Sequence, residues 1–262
     1  MTWTDAWRRA EVTHQRAAAR GTQLTTLRLP DDLPFPFEPG HVVALRLETP
    51  TGLHRHPYTV CGSDPTTREL TFLYRVIPEG RLTPTFAALA PAGAVELSGL
   101  HHTPIREEVD PEASEILGLA TSSGLGPLWG YAAEALAHGE TRPIHLVVGV
   151  REAADLPLRR ELDALASAYP TFRWTPVVSG SEPTWAGLRG RITDHLPAFL
   201  PRPGATHLHL VGNMGMVKLI EAALHAAGLP ARRVTKEGFF NWNAEVKTAH
   251  VAELAASLRS PS

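Results

Sequence analysis

The sequence has 262 residues, of which 43% are hydrophobic and 20% charged, and a formal net charge of −2 at pH 7. This composition is typical of a globular protein with one large or two ordinary domains, and the near-neutral charge excludes a general electrostatic attraction to nucleic acid or to an anionic membrane. A single cysteine, Cys61, excludes a disulfide framework and a cysteine-ligated iron–sulfur cluster within the sequence, and since no apolar run approaches a membrane span or a signal peptide, we expect a cytoplasmic protein.

Short apolar stretches between Pro- and Gly-rich turns mark the first hundred residues. Strands are predicted at residues 24–29, 42–47 and 69–77, and the Pro-rich segment 30–37 is predicted to be irregular. Residues 5–20 favour a helix on propensity alone. Short strands joined by tight turns predict an antiparallel β-barrel for this part of the chain.

The segment Arg55-His56-Pro57-Tyr58-Thr59 is a predicted strand that ends just before a turn. Because side chains alternate along a strand, His56 and Tyr58 share one face while Arg55 and Thr59 share the other. If the turn relaxes this alternation, Tyr58 and Thr59 could reach the same ligand. The ring would then lie flat on a conjugated plane, and the hydroxyl would bond its edge.

A helix start is predicted at Thr83-Pro84, because Thr is a good N-cap and Pro is favoured at the first helical position. The helix is expected to continue to Leu89. Its N-terminus would offer unpaired N–H groups and a positive dipole end, which suit a diphosphate. A well-capped helix without a ligand explains the same residues.

Beyond a polar connection at residues 101–114, apolar strands alternate with helices. Strands are predicted at 116–120, 144–150, 172–178 and 207–211, and helices at 128–138, 156–169, 214–227 and 245–258. This alternation predicts an α/β domain with a parallel sheet and helices on both faces. Ligands of such sheets bind where the strands end. His207 and His209 share a strand face, but without a third ligand in the pattern they favour packing, and no metal site is predicted.

Six segments, in order, resemble the plant-type ferredoxin–NADP reductase superfamily, and most of all its bacterial ferredoxin/flavodoxin–NADP reductases. Tyr58-Thr59 is similar to the flavin signature Arg-x-Tyr-Ser/Thr, and Gly80 to Thr83 to Gly-x-Leu-Ser/Thr. The others are Thr121–Pro127, Gly149–Leu156, His207–Val217 and Thr235–Phe240, with Gly190-Arg191-Ile192 as a further match. The resemblance also favours strands over a helix in the later part of residues 5–20.

The resemblance implies an FAD-binding β-barrel at residues 1–102 and an NADP-binding α/β domain with a C-terminal extension at residues 103–262, with the site between them. It implies FAD and NADPH as cofactors. Hydride would pass from the nicotinamide to the flavin, and single electrons from the flavin to ferredoxin or flavodoxin as partner. Neither nucleic acid nor a membrane is expected as a partner. The oligomeric state stays open, with a monomer as the default.

The resemblance also implies the roles of single residues. Thr59 would bond the flavin N5, Ser123 would help place the nicotinamide, and Glu237 would assist by hydrogen bonding near the flavin. The cofactor-binding residues it implies are His56, Pro57, Tyr58, Thr59, Tyr74, Val76, Gly80, Leu82, Thr83, Phe239 and Phe240, together with Thr121, Gly124, Pro127, Arg151, Arg191, Gly212 and Asn213.

Several positions depart from the family pattern. His56 stands where the family has the arginine that reaches the FAD phosphates, so either His56 or a slipped Arg55 would supply that contact. Ser122 replaces a glycine and Gly126 an alanine of the nicotinamide loop. Gly180 replaces an arginine that grips the 2′-phosphate, which weakens the expectation of NADPH over NADH.

The C-terminal segment allows two alignments. Phe239 covers the flavin if Glu237 matches the family glutamate, whereas in tailed bacterial members Gly238 would face the flavin and Phe239 would pack on adenine. The residues beyond Phe240 favour the tailed alignment.

Two other functions remain open on the sequence: an NAD(P)H-dependent flavin or quinone reductase, and a non-catalytic flavin- or nucleotide-binding regulator. With a single cysteine in the sequence, we expect no fused iron–sulfur domain. Arg8-Arg9 and Arg232-Arg233 are candidate docking residues for an acidic partner, although paired surface arginines are usually just solvated. The acceptor and the direction of electron flow are not encoded in any pattern we recognise.

Overall fold

The structure is a computed structural model that describes residues 6–32, 34–229 and 233–259. It divides into two compact units, one of residues 1–107 with 126–134 and one of residues 108–125 with 135–262. The boundary between residues 102 and 103 that the sequence motifs indicate stays a prediction.

The first unit is built on a seven-stranded antiparallel sheet that curls around a core. Its strands are β1 (Arg8–Ala19), β2 (Thr22–Arg28), β3 (Val42–Thr49), β4 (Gly52–Thr59), β5 (Gly62–Asp64), β6 (Glu69–Arg75) and β7 (Ala94–His101), in the order β4-β3-β7-β1-β2-β6-β5. This is the predicted antiparallel architecture, with β1 where the resemblance favours a strand and with β5 and β7 as added strands.

Residues 8–19 form a strand and not the helix that propensity favours. β1 pairs with β2 on one side and with β7 on the other, and its buried side chains, Ala10 and Val12, alternate with exposed ones. Two ladders of hydrogen bonds and a place in the core outweigh the few tenths of a kcal/mol per residue by which alanine and arginine favour a helix.

Two short helices complete the first unit. Helix α1 (Thr83–Ala87) begins one residue earlier than predicted, and its N-cap position is Leu82, not Thr83. The Thr83 hydroxyl instead accepts a hydrogen bond from the Ile77 N–H at 3.0 Å, so the prediction of Thr83 as N-cap is wrong. Helix α2 (Ile105–Glu108) lies in the segment predicted to be a linker, because Ile105 is buried against Gly40.

The second unit contains a six-stranded sheet whose strands are all parallel, as predicted. The strands are β8 (Glu115–Thr121), β9 (Ile144–Val150), β10 (Phe172–Val178), β11 (Leu188–Arg189), β12 (Thr206–Asn213) and β13 (Val234–Phe240), in the order β11-β10-β9-β8-β12-β13. The helices are α3 (Leu125–Ala137), α4 (Arg159–Ala168), α5 (Leu196–Phe199), α6 (Met214–Ala226) and α7 (Thr248–Arg259). Residues 126–134 of α3 belong to the first unit.

The helix predicted at 156–169 begins only at Arg159, because residues 153–155 form a separate 3₁₀ turn. β11, β13 and α5 were not predicted as elements.

Within the described ranges, none of the helices combines the length and the apolarity that crossing a membrane requires.

The two histidines of β12 are buried in a hydrogen-bonded group. The Asp110 N–H donates to His207 Nδ1 at 3.1 Å, and the Thr235 hydroxyl bonds His209 Nδ1. Burial lowers the pKa of His207 to about 4 and holds that of His209 well below its usual value, so both rings are neutral at pH 7. No cluster of three or more potential metal ligands occurs in the described part of the chain.

Arg233 is not a surface docking residue. Its Nε lies 3.0 Å from Asp110 Oδ2, and both side chains are nearly buried. The prediction of an exposed pair at this place is therefore wrong for Arg233, while Arg232 lies outside the described residues. Arg8 and Arg9 are exposed on β1.

Candidate functional site

In the first unit, Tyr58 stands among three other aromatic rings. It meets Phe72, Tyr74 and Phe86 edge-on, with ring centroids 6.3, 5.8 and 5.7 Å away. Edge-to-face contacts are favourable and fix the plane of a ring. Tyr58 itself is only half-buried, and burial raises the pKa of its hydroxyl well above the usual value. The ring is thus held in a set orientation and can present one side to a planar ligand.

The two residues beside Tyr58 differ in their surroundings. Thr59 is 9% exposed, whereas His56 and Pro57 are exposed at the edge of the sheet. The pairing of β4 with β3 is regular through Thr59, which lies opposite Val42. Tyr58 and Thr59 therefore leave the strand on opposite faces, and the relaxed alternation that would bring both to one ligand is not present within β4.

Tyr74 lies in the core and does not line an open surface. Its ring stacks on Phe86 at 4.7 Å, and its hydroxyl bonds Thr25 Oγ1 at 3.1 Å and Gln15 Nε2 at 3.3 Å. Burial raises the pKa of Tyr74 to about 12. The side chain supports Phe86 and Tyr58 from within, and Val76 packs half-buried beside the same core.

The turn from Ile77 to Thr83 is closed on itself. The Gly80 N–H donates to Ile77 O at 2.8 Å, and a Cβ at Gly80 would lie only 2.9 Å from that oxygen. The buried Leu82 anchors the turn in the core. The glycine is thus required by close packing, and the turn presents the start of α1 with one hydroxyl, Thr83, already engaged.

In the second unit, the ends of β8 and β12 are joined at the carboxyl edge of the sheet. The Asn213 N–H donates to Thr121 Oγ1 at 2.8 Å, and a Cβ at Gly212 would lie 2.2 Å from the same atom. A Cβ at Gly124 would lie 2.8 Å from Val211 O. The structure therefore brings four predicted nucleotide residues together and shows that both glycines are needed for the close approach of the two loops.

Asn213 begins α6 as its N-cap, with its side-chain oxygen accepting from the Gly215 N–H at 2.7 Å. Ser123 follows the end of β8, Pro127 lies in the first turn of α3, and both are buried. Such an edge, with glycine-rich loops and a helix N-terminus, is where parallel sheets bind nucleotides.

Ser122 is held in a strained conformation in this loop. Its φ angle is +52°, in the left-handed region that favours glycine, and its buried hydroxyl has no hydrogen-bond partner among the described residues. We expect Ser122→Gly to raise the free energy of unfolding by about 1 kcal/mol, because it removes both the backbone strain and the unpaired hydroxyl. Urea unfolding of the two proteins measures the change, and a loss of stability would contradict it.

The strand β13 carries a bulge at Phe239. Gly212 pairs with Gly238, but Asn213 pairs with Phe240, so Phe239 is an extra residue without a partner in the ladder. A bulge redirects the side chains that follow it. Glu237 and Phe239 are half-buried, whereas Phe240 is 42% exposed. A Cβ at Gly238 would lie 2.1 Å from Met214 Sδ, so this position accepts no larger residue without movement.

Sequence patterns missed how the segment after β13 is fastened to α6. Lys218 Nζ donates to the main-chain oxygens of Trp242 at 2.7 Å and Ala244 at 3.1 Å, and Asn241 Nδ2 donates to Asn213 Oδ1 at 3.3 Å. No local pattern marks a lysine whose partners are carbonyl oxygens more than 20 residues away.

The two predicted phosphate residues lie at the ends of β9 and β11, the two strands that flank β10. Arg151 follows β9 and is exposed, and Arg191 is exposed just after β11. A Cβ at Gly149 would lie 2.9 Å from Ile192 Cδ1, which shows how closely the two segments approach. Gly180, where the sequence resemblance implies an arginine, lies against Arg151.

The comparisons with known proteins agree with this architecture. Residues 119–222 match the family described as oxidoreductase NAD-binding domain. The crystal structure of the Amycolatopsis reductase GcoB is 30% identical, with a TM-score of 0.75, and the alignment covers 90% of this chain and 71% of that one.

Two curated relatives extend the comparison. Ferredoxin–NADP reductase B of Sorangium cellulosum is 27% identical over 80% of this chain and 88% of its own. A ferredoxin–NAD(P)⁺ reductase component of naphthalene 1,2-dioxygenase/salicylate 5-hydroxylase systems from Ralstonia is 26% identical over 87% of this chain and 71% of its own. With an antiparallel sheet followed by a parallel one, and with a structural relative that is 30% identical over 90% of this chain, the chain belongs to the ferredoxin–NADP reductase family.

Proposed function

We propose that the protein is an FAD-dependent reductase that passes electrons between a nicotinamide coenzyme and a one-electron carrier protein, a ferredoxin or a flavodoxin. The observation that carries the proposal is the nucleotide edge, where the Thr121 hydroxyl, the Asn213 N–H, Gly124 and Gly212 are interlocked at the ends of adjacent strands. Both glycines make room that a side chain would fill, as a loop that approaches a diphosphate requires.

The residues of the first unit fit a flavin. Tyr58 has a fixed ring plane and is half-buried, so it can stack on an isoalloxazine ring. The turn at Gly80 and the start of α1 would hold the FAD diphosphate, with exposed His56 beside Tyr58 on the same face of β4 as a weaker phosphate contact than the family arginine. Bound flavin supplies the exchange between two-electron and one-electron chemistry.

The other predicted site residues would position the nicotinamide and the flavin. Ser123, buried at the end of β8, would orient the nicotinamide, and Glu237 would hydrogen-bond near the reacting ring. Phe239 or Phe240 would cover a ring of the bound FAD. Holding two rings in a reactive arrangement is the main contribution that a protein makes to hydride transfer. The monomeric state and the cytoplasmic location stay predictions from the sequence.

The experiment starts from the visible spectrum of the freshly purified protein. We expect flavin bands that NADH or NADPH bleaches under anaerobic conditions, followed by turnover with ferricyanide and with an added ferredoxin that passes electrons to cytochrome c. A non-catalytic regulator would show no turnover, and a free-flavin or quinone reductase would turn over those acceptors but not ferredoxin. A protein that is purified without flavin and takes up no FAD would refute the proposal.

The Gly212→Ala variant tests the nucleotide edge independently of the flavin site. Gly212 has a φ angle of +122°, and its added Cβ would collide with Thr121. We expect kcat/KM for the nicotinamide coenzyme to fall about tenfold or more while the flavin content is unchanged. Gly204→Ala is the matched control, because a Cβ there meets nothing within 4 Å. Equal kinetics of the two variants would remove Gly212 from the site.

A further inference from the structure

Gly180 is packed directly against the main chain of Arg151. The Gly180 N–H donates to Arg151 O at 2.7 Å, and a Cβ at Gly180 would lie 2.5 Å from that oxygen. The preceding residue, Ser179, donates to Val150 O through both its N–H at 2.9 Å and its hydroxyl at 3.1 Å. The loop after β10 is thus tied to the end of β9 by backbone contacts. An arginine cannot take the place of Gly180 unless this backbone moves.

A carboxylate from the loop after β10 is bound to the turn that follows Arg151. Glu182 Oε2 accepts a hydrogen bond from the Ala153 N–H at 2.8 Å, and the side chain is half-buried. Two further carboxylates belong to the turn itself: Glu152, and Asp155, whose Oδ2 accepts from the Glu152 N–H at 3.2 Å. Arg151 is therefore one cation among three anions.

The residues at and after the end of β11 do not reverse this excess of negative charge. Arg189 donates to the main-chain oxygens of Pro183 and Trp185, Arg191 is exposed, and the Asp194 side chain accepts from the Arg191 N–H at 2.7 Å. The two segments 151–155 and 179–194 together contain three arginines, at 151, 189 and 191, and four carboxylates, at 152, 155, 182 and 194, so the group carries a formal charge of −1. A 2′-phosphate brings about −1.5 to −2 further charges and would be repelled here.

The hydroxyls of a ribose without a 2′-phosphate suit this negatively charged group of residues. In doubly wound sheets, the adenosine ribose is recognised near the end of the strand that follows the glycine-rich loop, where an acidic residue accepts from the 2′-hydroxyl and an arginine accommodates a 2′-phosphate. β9 is that strand, since it pairs with β8 and follows it in the chain, and Glu182, although it follows β10, is bound to the Ala153 N–H just beyond the end of β9. Residues 119–222, which match the NAD-binding domain, include the whole group.

We infer that the coenzyme of this reductase is NADH and not NADPH, with Glu182 as the residue that determines the choice. The inference rests on the proposed function for its kinetic consequences. Glu182 accepts from the ribose diol, Gly180 excludes a second arginine, and Arg151 is left for the diphosphate that both coenzymes share. This assignment is the reverse of the preference that Arg151 and Arg191 indicate from sequence alone.

The kinetic test uses the flavin-loaded protein and ferricyanide as acceptor. We expect kcat/KM to be about tenfold higher with NADH than with NADPH, and Glu182→Gln to narrow that ratio severalfold through a lower KM for NADPH. Glu253→Gln, on the exposed surface of α7, is the matched control and should leave the ratio unchanged. Equal or better use of NADPH by the unaltered protein would overturn the inference, as would an unchanged ratio in E182Q.

A binding measurement keeps the inference separate from the proposed function. Calorimetric titration with ADP-ribose and with 2′-phospho-ADP-ribose compares the same ligand with and without the phosphate and requires neither flavin nor turnover. We expect tighter binding of ADP-ribose, by about tenfold. Tighter binding of the phosphorylated ligand would overturn the inference even if the reductase activity is found. A protein that no coenzyme reduces but that prefers ADP-ribose would refute the proposed function and support the inference.

Discussion

Replacing Gly130 with alanine is expected to lower the free energy of unfolding by about 3 kcal/mol, the upper end of the usual cost of overpacking. Gly130 lies in α3, within the part of that helix that belongs to the first unit. An alanine Cβ would lie 1.4 Å from Cys61 O and 2.5 Å from Cys61 C. These are main-chain atoms that cannot rotate away, so the helix or the end of the neighbouring strand must move.

The same helix face carries a second close approach. A Cβ at Gly126 would lie 2.4 Å from Cys61 Sγ and 2.8 Å from Leu73 Cβ. Gly126 stands where the family has alanine, and the bulk of Cys61 explains that substitution. Movement of α3 at Gly130 would therefore disturb this contact as well.

Thermal unfolding followed by circular dichroism measures the effect of Gly130→Ala. A loss of about 3 kcal/mol corresponds to a midpoint lowered by about 6 to 12 °C in a chain of this size. Gly204→Ala adds the same methyl group where nothing lies within 4 Å, and its midpoint should stay close to that of the parent. If the two variants have the same midpoint of thermal unfolding, α3 is not held against Cys61 as the structure describes.

Acidification from pH 8 to pH 5 is expected to destabilise the second unit by about 4 kcal/mol through His145 and His207 alone. Burial is the main cause that lowers the pKa of each to about 4, from an ordinary value of 6.5. The folded state therefore binds fewer protons than the unfolded state between these values, so the stability is complete above pH 6.5 and is lost as the pH falls towards 4. At pH 5 each histidine accounts for about 2 kcal/mol.

His209 adds to the loss in the same direction, since burial lowers its pKa well below the usual value. Denaturant unfolding at pH 8, 6.5 and 5 measures the slope. His145→Gln keeps a partner for Thr175, which His145 Nε2 contacts at 2.9 Å, and should remove about 2 kcal/mol of the pH dependence. His250→Gln, on the exposed surface of α7, is the matched control. An unchanged slope in H145Q would show that the ring is not buried uncharged.

Much of the second unit could be predicted because its strands are buried on both faces. Segments such as residues 116–120 and 144–150 are almost continuously apolar, and this pattern is typical of a parallel sheet. The positions of the predicted nucleotide residues in the fold follow from it, since Thr121 and Gly212 lie at the ends of β8 and β12. Their role in binding stays a prediction.

The first unit was harder to predict, because its elements depend on partners distant in sequence. Ala10 and Val12 lie in a strand because β2 and β7 flank them, and no local propensity reports that. Thr83 has the composition of an N-cap, yet its hydroxyl bonds Ile77. The need for glycine at positions 130 and 180 is likewise invisible locally, because it comes from the carbonyl oxygens of Cys61 and Arg151.

The place of β4 at one end of the first sheet has a consequence for association between chains. An end strand offers main-chain groups to which a strand of another molecule can add. Pro57, in the middle of β4, has no N–H to donate, and Arg55 places a charge beside it. The strand that carries Tyr58 thus resists edge-to-edge pairing with the same strand of a second molecule.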